Sequence, residues 1–403
     1  KQGEKIMKKS TLLRASAIAV SLAFVATACG SDSDSDSSAA EDTVASEVTE
    51  DTAATAAGVT CEPVSIAFFG ALSGDNGNLG KNIRAGADLA VSEFNTANPD
   101  CQVGLVDFDS QGDPAQAPAL AQEAIDDASI LGIVGPAFSG ESKAAIPLFD
   151  AAGLAIITPS ATNADLNDNN WKVFHRALAG DDKQGPAIAT YIQNTLAAAK
   201  VGVIDDATEY GKGLADIVRD TLGDTVVASD SIDPNAADFS AVVSKMKDAA
   251  PDTIFYGGYY AEAGKLAKQL RDAGVTATLV FGDGVKDNGF IEAAGPAADG
   301  SIITCTCADG ASFAEFAAAY TAMFPGETPQ TYGAEAYDAA SAFLAAIAAG
   351  ETDRAGVLEF LGTYDAAGVT KQIKWDETGE VAGNAVYAYK VEAGVISVIG
   401  LIE

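Results

Sequence analysis

Hydrophobic and polar positions follow two periods along this chain. Short runs rich in Val, Ile and Phe recur at 64–69, 103–108, 131–134, 154–157, 200–205, 225–231, 253–257, 278–281 and 302–305. Runs of this length, bounded by turn-forming residues, predict buried β-strands. Stretches between them space their apolar residues three and four apart. These predict amphipathic helices at 83–95, 114–127, 185–199, 210–222, 239–249, 261–273, 312–324 and 334–349. Residues 173–176 lead into a crossover. Strand and helix in steady alternation predict an α/β fold with parallel sheets covered on both faces.

The segment 131–166 concentrates the candidate chemistry. A strand at 131–134 ends at Gly135-Pro136, and Ser139-Gly140-Glu141-Ser142 then has the hydroxyls and acid of a helix start. A second strand at 154–157 runs into Thr158-Pro159-Ser160-Ala161-Thr162. Two neighbouring parallel strands would deliver both hydroxyl-rich loops to the carboxyl edge of one sheet, where open α/β folds bind ligands. Ser139, Ser160 and Thr162, beside free backbone N–H groups, suit a small anion such as a carboxylate. The same hydroxyls serve equally as ordinary helix caps, and these residues alone leave both readings open.

The amino-terminal region reads differently. Met7 to Arg14 is basic, 15–25 is apolar, and small residues precede Cys29. That order is an export signal over 7–29, and the residues before Cys29 look like a bacterial lipobox with Cys29 as the lipidated residue. A plain secretory signal cleaved nearby is the alternative; both send the protein out of the cytoplasm. The apolar stretch is too short for an ordinary membrane span. Residues 30–60 are rich in Ser, Asp, Ala and Thr without apolar periodicity, and are expected to form a disordered tether. Cys61 and Cys101 each precede a strand expected in one parallel sheet, so a disulfide is expected between them in an oxidising compartment. Cys305 and Cys307 either bridge or stay as two buried thiols.

Composition narrows the function. A chain of 403 residues is too long for one compact domain, so two lobes are expected. The formal net charge of −33 excludes nucleic acid as a partner and suits a solvated surface. The single histidine, His175, has no G-x-S-x-G elbow beside it, and no His/Cys set has zinc spacing. Gly70, Gly74, Gly77 and Gly80 miss the G-x-G-x-x-G spacing, and no P-loop is present. No cofactor, metal or enzymatic activity is therefore expected.

Nine motifs in order carry a family resemblance. They are G-A-L-S-G (70–74), F-D-S-Q-G-D-P (108–114), V-G-P-A-F-S (134–139), I-T-P-S-A-T (157–162), D-K-Q-G-P (182–186), E-Y-G-K-G (209–213), Y-G-G-Y-Y (256–260), G-D-G (282–284) and W-D-E-T-G (375–379). Together they resemble the leucine/isoleucine/valine-binding proteins, the substrate-binding components of branched-chain amino acid ABC transporters. The resemblance spans nearly all of 61–403. It implies the type I periplasmic-binding-protein fold: two α/β lobes joined by three hinge crossovers, closing on a ligand between them. Lobe one would comprise 61–180 plus 307–383, and lobe two 181–306 plus 384–403, with crossovers near 178–181, 304–308 and 382–386.

Residue by residue, the resemblance implies that Ser139, Ser160 and Thr162 hold a ligand carboxylate, Thr162 also lying near the ammonium. Tyr210 and Tyr259 would close over the ligand, and Asp283 would pair with its ammonium. The family position is often the longer Glu. Leu79 stands where better-known members carry Tyr; with Phe138 and Tyr332 it would wall an apolar or aromatic side-chain pocket. The implied ligand is a branched-chain or other aliphatic amino acid, passed by a monomeric, lipid-anchored receptor to permease subunits. A sensory receptor, or a binder of amides or urea, would use the same cleft. A sensor calls for a fused or docked signalling module, and none is read in this chain.

Overall fold

The computed structural model describes residues 59–402. The export signal, Cys29 and the tether up to residue 58 lie outside the described residues. The first sheet contains β1 (Val64–Gly70), β2 (Val103–Asp109), β3 (Ile130–Val134), β4 (Ala155–Thr158) and β5 (Phe174–Arg176), all parallel, in the order β2-β1-β3-β4-β5. Helices α1 (Gly77–Ala97), α2 (Ala117–Asp126) and α3 (Ser139–Ala152) connect these strands. Both sheet faces are covered, so β3 and β4 are buried along their whole length and read as unbroken apolar runs.

After β5 the chain crosses to a second sheet. There α4 (Asp181–Thr190), β6 (Val201–Asp205), α5 (Glu209–Leu222), β7 (Val226–Ser231), α6 (Ser240–Ala249), β8 (Thr253–Gly257), α7 (Tyr260–Asp272), β9 (Thr278–Phe281), α8 (Asn288–Ala294) and β10 (Ile302–Cys305) follow in turn. The chain then returns as α9 (Ala314–Met323), α10 (Gly333–Ala348) and α11 (Arg354–Leu361), which pack on the first sheet and on α1. A short hairpin, β11 (Ala366–Ala367) and β12 (Gln372–Ile373), precedes a third crossing. Finally β13 (Tyr387–Glu392) and β14 (Val395–Leu401) join the second sheet, whose order is β14-β13-β10-β9-β8-β6-β7.

Four features differ from the periodicity reading. It has no counterpart of α8, α11 or β11 to β14, which the structure adds. The second sheet is mixed: β10 pairs β13, and β13 pairs β14, antiparallel. The hairpin turn at Ala393-Gly394 has positive φ at both residues, which permits this tight reversal. Helix α1 starts at Gly77, ahead of residue 83. Its first turn, Gly77-Asn78-Leu79-Gly80, has poor helix propensity, but a Cβ on Gly80 would lie 1.8 Å from the Ala71 carbonyl oxygen. Close packing against the loop after β1 thus outweighs propensity there. Helix α4 starts at Asp181, ahead of residue 185, and passes into a π-turn at Tyr191–Thr195.

Cys61 and Cys101 are joined by a disulfide with S–S 2.03 Å, tying the start of β1 to the start of β2. Cys305 and Cys307 are also disulfide-linked, where the chain leaves the second sheet. Among the described residues, no helix is long and apolar enough to cross a membrane.

Candidate functional site

The carboxyl ends of both sheets face a common cleft. From the first sheet, the loop after β3 presents Phe138 and Ser139, and the loop after β4 presents Ser160 and Thr162. Phe138 is the cap residue of α3, but its backbone N–H is satisfied by Glu141 Oε2 at 3.0 Å. Glu141 is fully buried, and burial pushes its carboxyl up to about 7 despite hydrogen bonds from Ser110 and Phe138. The capping work therefore falls to Glu141 rather than to Ser139.

The three hydroxyls have other partners. Ser139 Oγ accepts from the Asn163 N–H at 3.3 Å. Ser160 Oγ donates to the Ala137 carbonyl at 2.6 Å. Thr162 Oγ1 is buried without a hydrogen-bond partner. Arg176 fixes this edge from below: it is fully buried, its Nη1 donates to the carbonyls of Ala161 (3.2 Å) and Asn163 (2.9 Å), and its other donors reach Glu380.

The second sheet supplies the acid. Asp283 follows β9 and is 1% exposed. Its Oδ1 accepts from Tyr210 Oη at 2.7 Å and Gln184 Nε2 at 2.9 Å; its Oδ2 accepts from Tyr332 Oη at 2.5 Å. Burial raises the Asp283 carboxyl above its ordinary range, and the three donors pull it back down. Burial likewise holds the hydroxyls of Tyr210, Tyr259 and Tyr332 well above the usual phenol range, so they remain protonated donors.

Local structure places these rings. Tyr210 sits in the first turn of α5, whose N-cap Thr208 accepts from the Gly211 N–H at 3.0 Å. Tyr259 caps α7. Tyr332 caps α10 from a left-handed conformation, φ +68°, that bulky residues rarely adopt. Backbone strain of this kind concentrates where a side chain must be aimed. The ring of Tyr259 lies 5.1 Å from that of Tyr210 and 4.8 Å from that of Phe138.

Leu79, Phe138, Ser139, Ser160, Tyr210, Tyr259, Asp283, Gly284 and Tyr332 line one cavity. Its volume is about 200 Å³. The cleft is shut. Its lining holds one carboxylate and no basic side chain. Larger hollows of about 1190 and 1050 Å³ lie elsewhere, one beside β14 and one beside Tyr364. They contain none of the convergent hydroxyls, so the small cavity is the better candidate.

Contacts between the two halves hold the cleft closed. Lys143 pairs with Glu209 at 2.8 Å, and Asn163 Nδ2 donates to the Glu209 carbonyl at 2.5 Å. Asn78, in the first turn of α1, donates to Asp287 Oδ1 at 3.0 Å and, through its backbone, to Tyr260 Oη at 3.3 Å.

Thr162 does not line the cavity. It lies behind it, where its carbonyl accepts from the Asp181 N–H at 2.7 Å. Tyr332, expected only as a wall, also donates to Asp283. Sequence reasoning passed over Asp181, Gln184 and Gly284. Asp181 in a first helical turn reads as a partner of the helix dipole, and Gln184 has no periodic signature. Gln184 lay inside the motif at 182–186 and Gly284 inside G-D-G at 282–284, without being read as site residues.

A shut cleft between two sheets, with hydroxyls on one wall and an acid on the other, defines a two-lobed binding protein for a small polar solute. The chain belongs to the periplasmic binding protein family, whose model matches residues 63–395. A Leu/Ile/Val-binding protein of Rhizobium johnstonii is 32% identical over 83% of this chain and 93% of its own length. Among solved structures, the branched-chain amino acid substrate-binding protein LivJ of Streptococcus pneumoniae, in complex with isoleucine, is 30% identical with a TM-score of 0.78, covering 84% of this chain and 100% of its own. The leucine-binding protein LivK of Thermotoga maritima is 27% identical with a TM-score of 0.77, over 84% and 99%.

Proposed function

We propose that this chain captures a branched-chain or other aliphatic α-amino acid in the closed cleft and passes it to the permease of an ABC transporter. One observation supports this above the others. Asp283 stands on one wall with three donors already orienting it, opposite the loops of Ser139, Ser160 and Thr162. A carboxylate would take up hydroxyl and amide donors on the first wall, where charge-assisted bonds are about twice as strong as neutral ones. The absence of a basic side chain from the lining favours a net-neutral zwitterion over a free carboxylic acid. Leu79, Phe138 and Tyr259 would enclose the aliphatic side chain.

In this reading the crossovers near 178–181, 304–308 and 382–386 are the hinges, and closure is driven by the ligand's greater affinity for the shut form. Cys29 would carry the lipid that keeps the protein at the outer face of the membrane; Cys29→Ala should release it from membranes. The test of function is a thermal-shift screen against the amino acids, simple amides and urea, since a ligand of the folded state raises the melting temperature. Leucine, isoleucine or valine should give the largest shifts. A response confined to amides or urea would overturn the amino acid assignment.

A further inference from the structure

A second acid, behind the cavity lining, is unaccounted for. Asp181 opens α4 and is fully buried, yet no donor meets either carboxylate oxygen in good hydrogen-bond geometry; the Thr162 hydroxyl lies near it without completing a bond. Asp283 accepts three hydrogen bonds and Asp181 none. Of the other buried polar atoms without a partner, two belong to residues beside it: Thr162 Oγ1, on the residue whose carbonyl binds the Asp181 N–H, and Gln184 Oε1, one turn along α4. A lone carboxylate in such a place is costly, because burial of a charge demands donors.

The charged and titratable groups facing Asp181 come from every neighbouring element. They are Asp283 after β9, Arg176 of β5, Tyr210 of α5, Tyr259 before α7, Tyr332 before α10, and Asp182 on its own helix. Arg176 is the cation among them; its hydrogen bonds go to Glu380, Ala161 and Asn163, and its charge favours the ionised form of Asp181. Arg176 and the Thr162 hydroxyl offset only part of the cost of burying this charge.

We propose that Asp181 is a second acid of the ligand site, holding a proton when the cleft is closed and empty and the ligand's ammonium group when it is filled. This rests on the amino acid reading above. A protonated Asp181 could donate to Thr162 Oγ1 or Gln184 Oε1. A primary ammonium, with three N–H donors, could serve Asp181, Thr162 and Asp283 together. Burial, and then the nearby charge of Asp283, push the Asp181 carboxyl well above its ordinary range, in keeping with a retained proton. On capture the proton leaves the carboxyl oxygen for the buffer. Affinity therefore falls as pH drops through the Asp181 titration, by up to about tenfold per pH unit for one linked proton, and is level above it.

The experiment is calorimetric titration of the protein with L-leucine from pH 5 to pH 8, in paired buffers of different ionisation heat. Wild type should release about one proton over part of this range. Asp181→Asn should bind leucine more weakly, without that release and with a flatter pH profile, and Asp181→Glu should restore it. Release that persists unchanged in Asp181→Asn overturns the proposal. So does its absence in wild type, a result that needs no variant to fold. Failure of leucine, isoleucine and valine to bind at any pH removes the amino acid reading itself, and this proposal with it.

Discussion

Asp283→Asn separates charge from shape at the centre of the cleft. The native carboxylate takes hydrogen bonds from Tyr210, Gln184 and Tyr332. An amide has the same outline. Its oxygen still accepts from Tyr210 and Gln184, and its NH₂ turns toward Tyr332 Oη, which can accept as well as donate. The unliganded fold should therefore lose little, and its melting temperature should stay within a few degrees of wild type. Ligand binding should not survive so well. Removing one partner of a buried charge pair costs roughly 3–5 kcal/mol, a loss of affinity of roughly 150- to 5,000-fold. Asp283→Ala should be worse in both respects. It strands three buried donors, each costing roughly 1–3 kcal/mol when left unmade. Calorimetry with L-leucine at pH 7, beside thermal melts without ligand, reads the two effects apart. Affinity for leucine within threefold of wild type in Asp283→Asn would refute the reasoning, because the acid would then not be meeting the ligand's charge.

Three further expectations follow from packing, covalent structure and burial. Replacing Cys61 and Cys101 by Ser opens a link across a sequence separation of 40, and chain-entropy arguments put the loss at about 4 kcal/mol; urea melts differing by less than 1 kcal/mol would contradict this. Gly86→Ala would set a Cβ 1.9 Å from the Gly333 carbonyl oxygen, where α1 meets α10, and should destabilise the fold by about 1–3 kcal/mol or more, measured by thermal unfolding. His175 is buried and its imidazole is pushed down to about 4 by desolvation. The unfolded chain takes up this proton near pH 6.5 and the folded protein does not, so His175 costs stability as pH falls from 6.5 towards 4, by up to about 3 kcal/mol. In His175→Gln the difference in melting temperature between pH 7 and pH 4.5 should shrink by that share; an unchanged difference would mean that the histidine is not held neutral.

Much of this was legible along the chain, and for a definite reason. Strands buried on both faces must be apolar throughout, so β1, β3, β4 and β6 announce themselves as runs of Val, Ile and Phe. Helices with one buried face repeat every three to four residues, which marks α5, α7 and α10. Hydroxyl-rich loops directly after β3 and β4 were visible because parallel strands must end at the same edge. Local sequence could not show which side chains meet across the cleft. Asp283, Tyr210, Gln184 and Tyr332 are separated by up to 148 positions, yet they share one carboxylate. Nor could it show that α1 begins at Gly77, since only the approach of Ala71 to Gly80 makes that turn favourable. Asp181 is the sharpest case. At the head of a helix an acid is the most ordinary of residues, and its shortage of well-placed donors arises only when two sheets close over it. Periodicity and turn chemistry act over a few residues and are written into the chain. Desolvation and convergence depend on parts far apart in sequence, and the folded structure alone decides them.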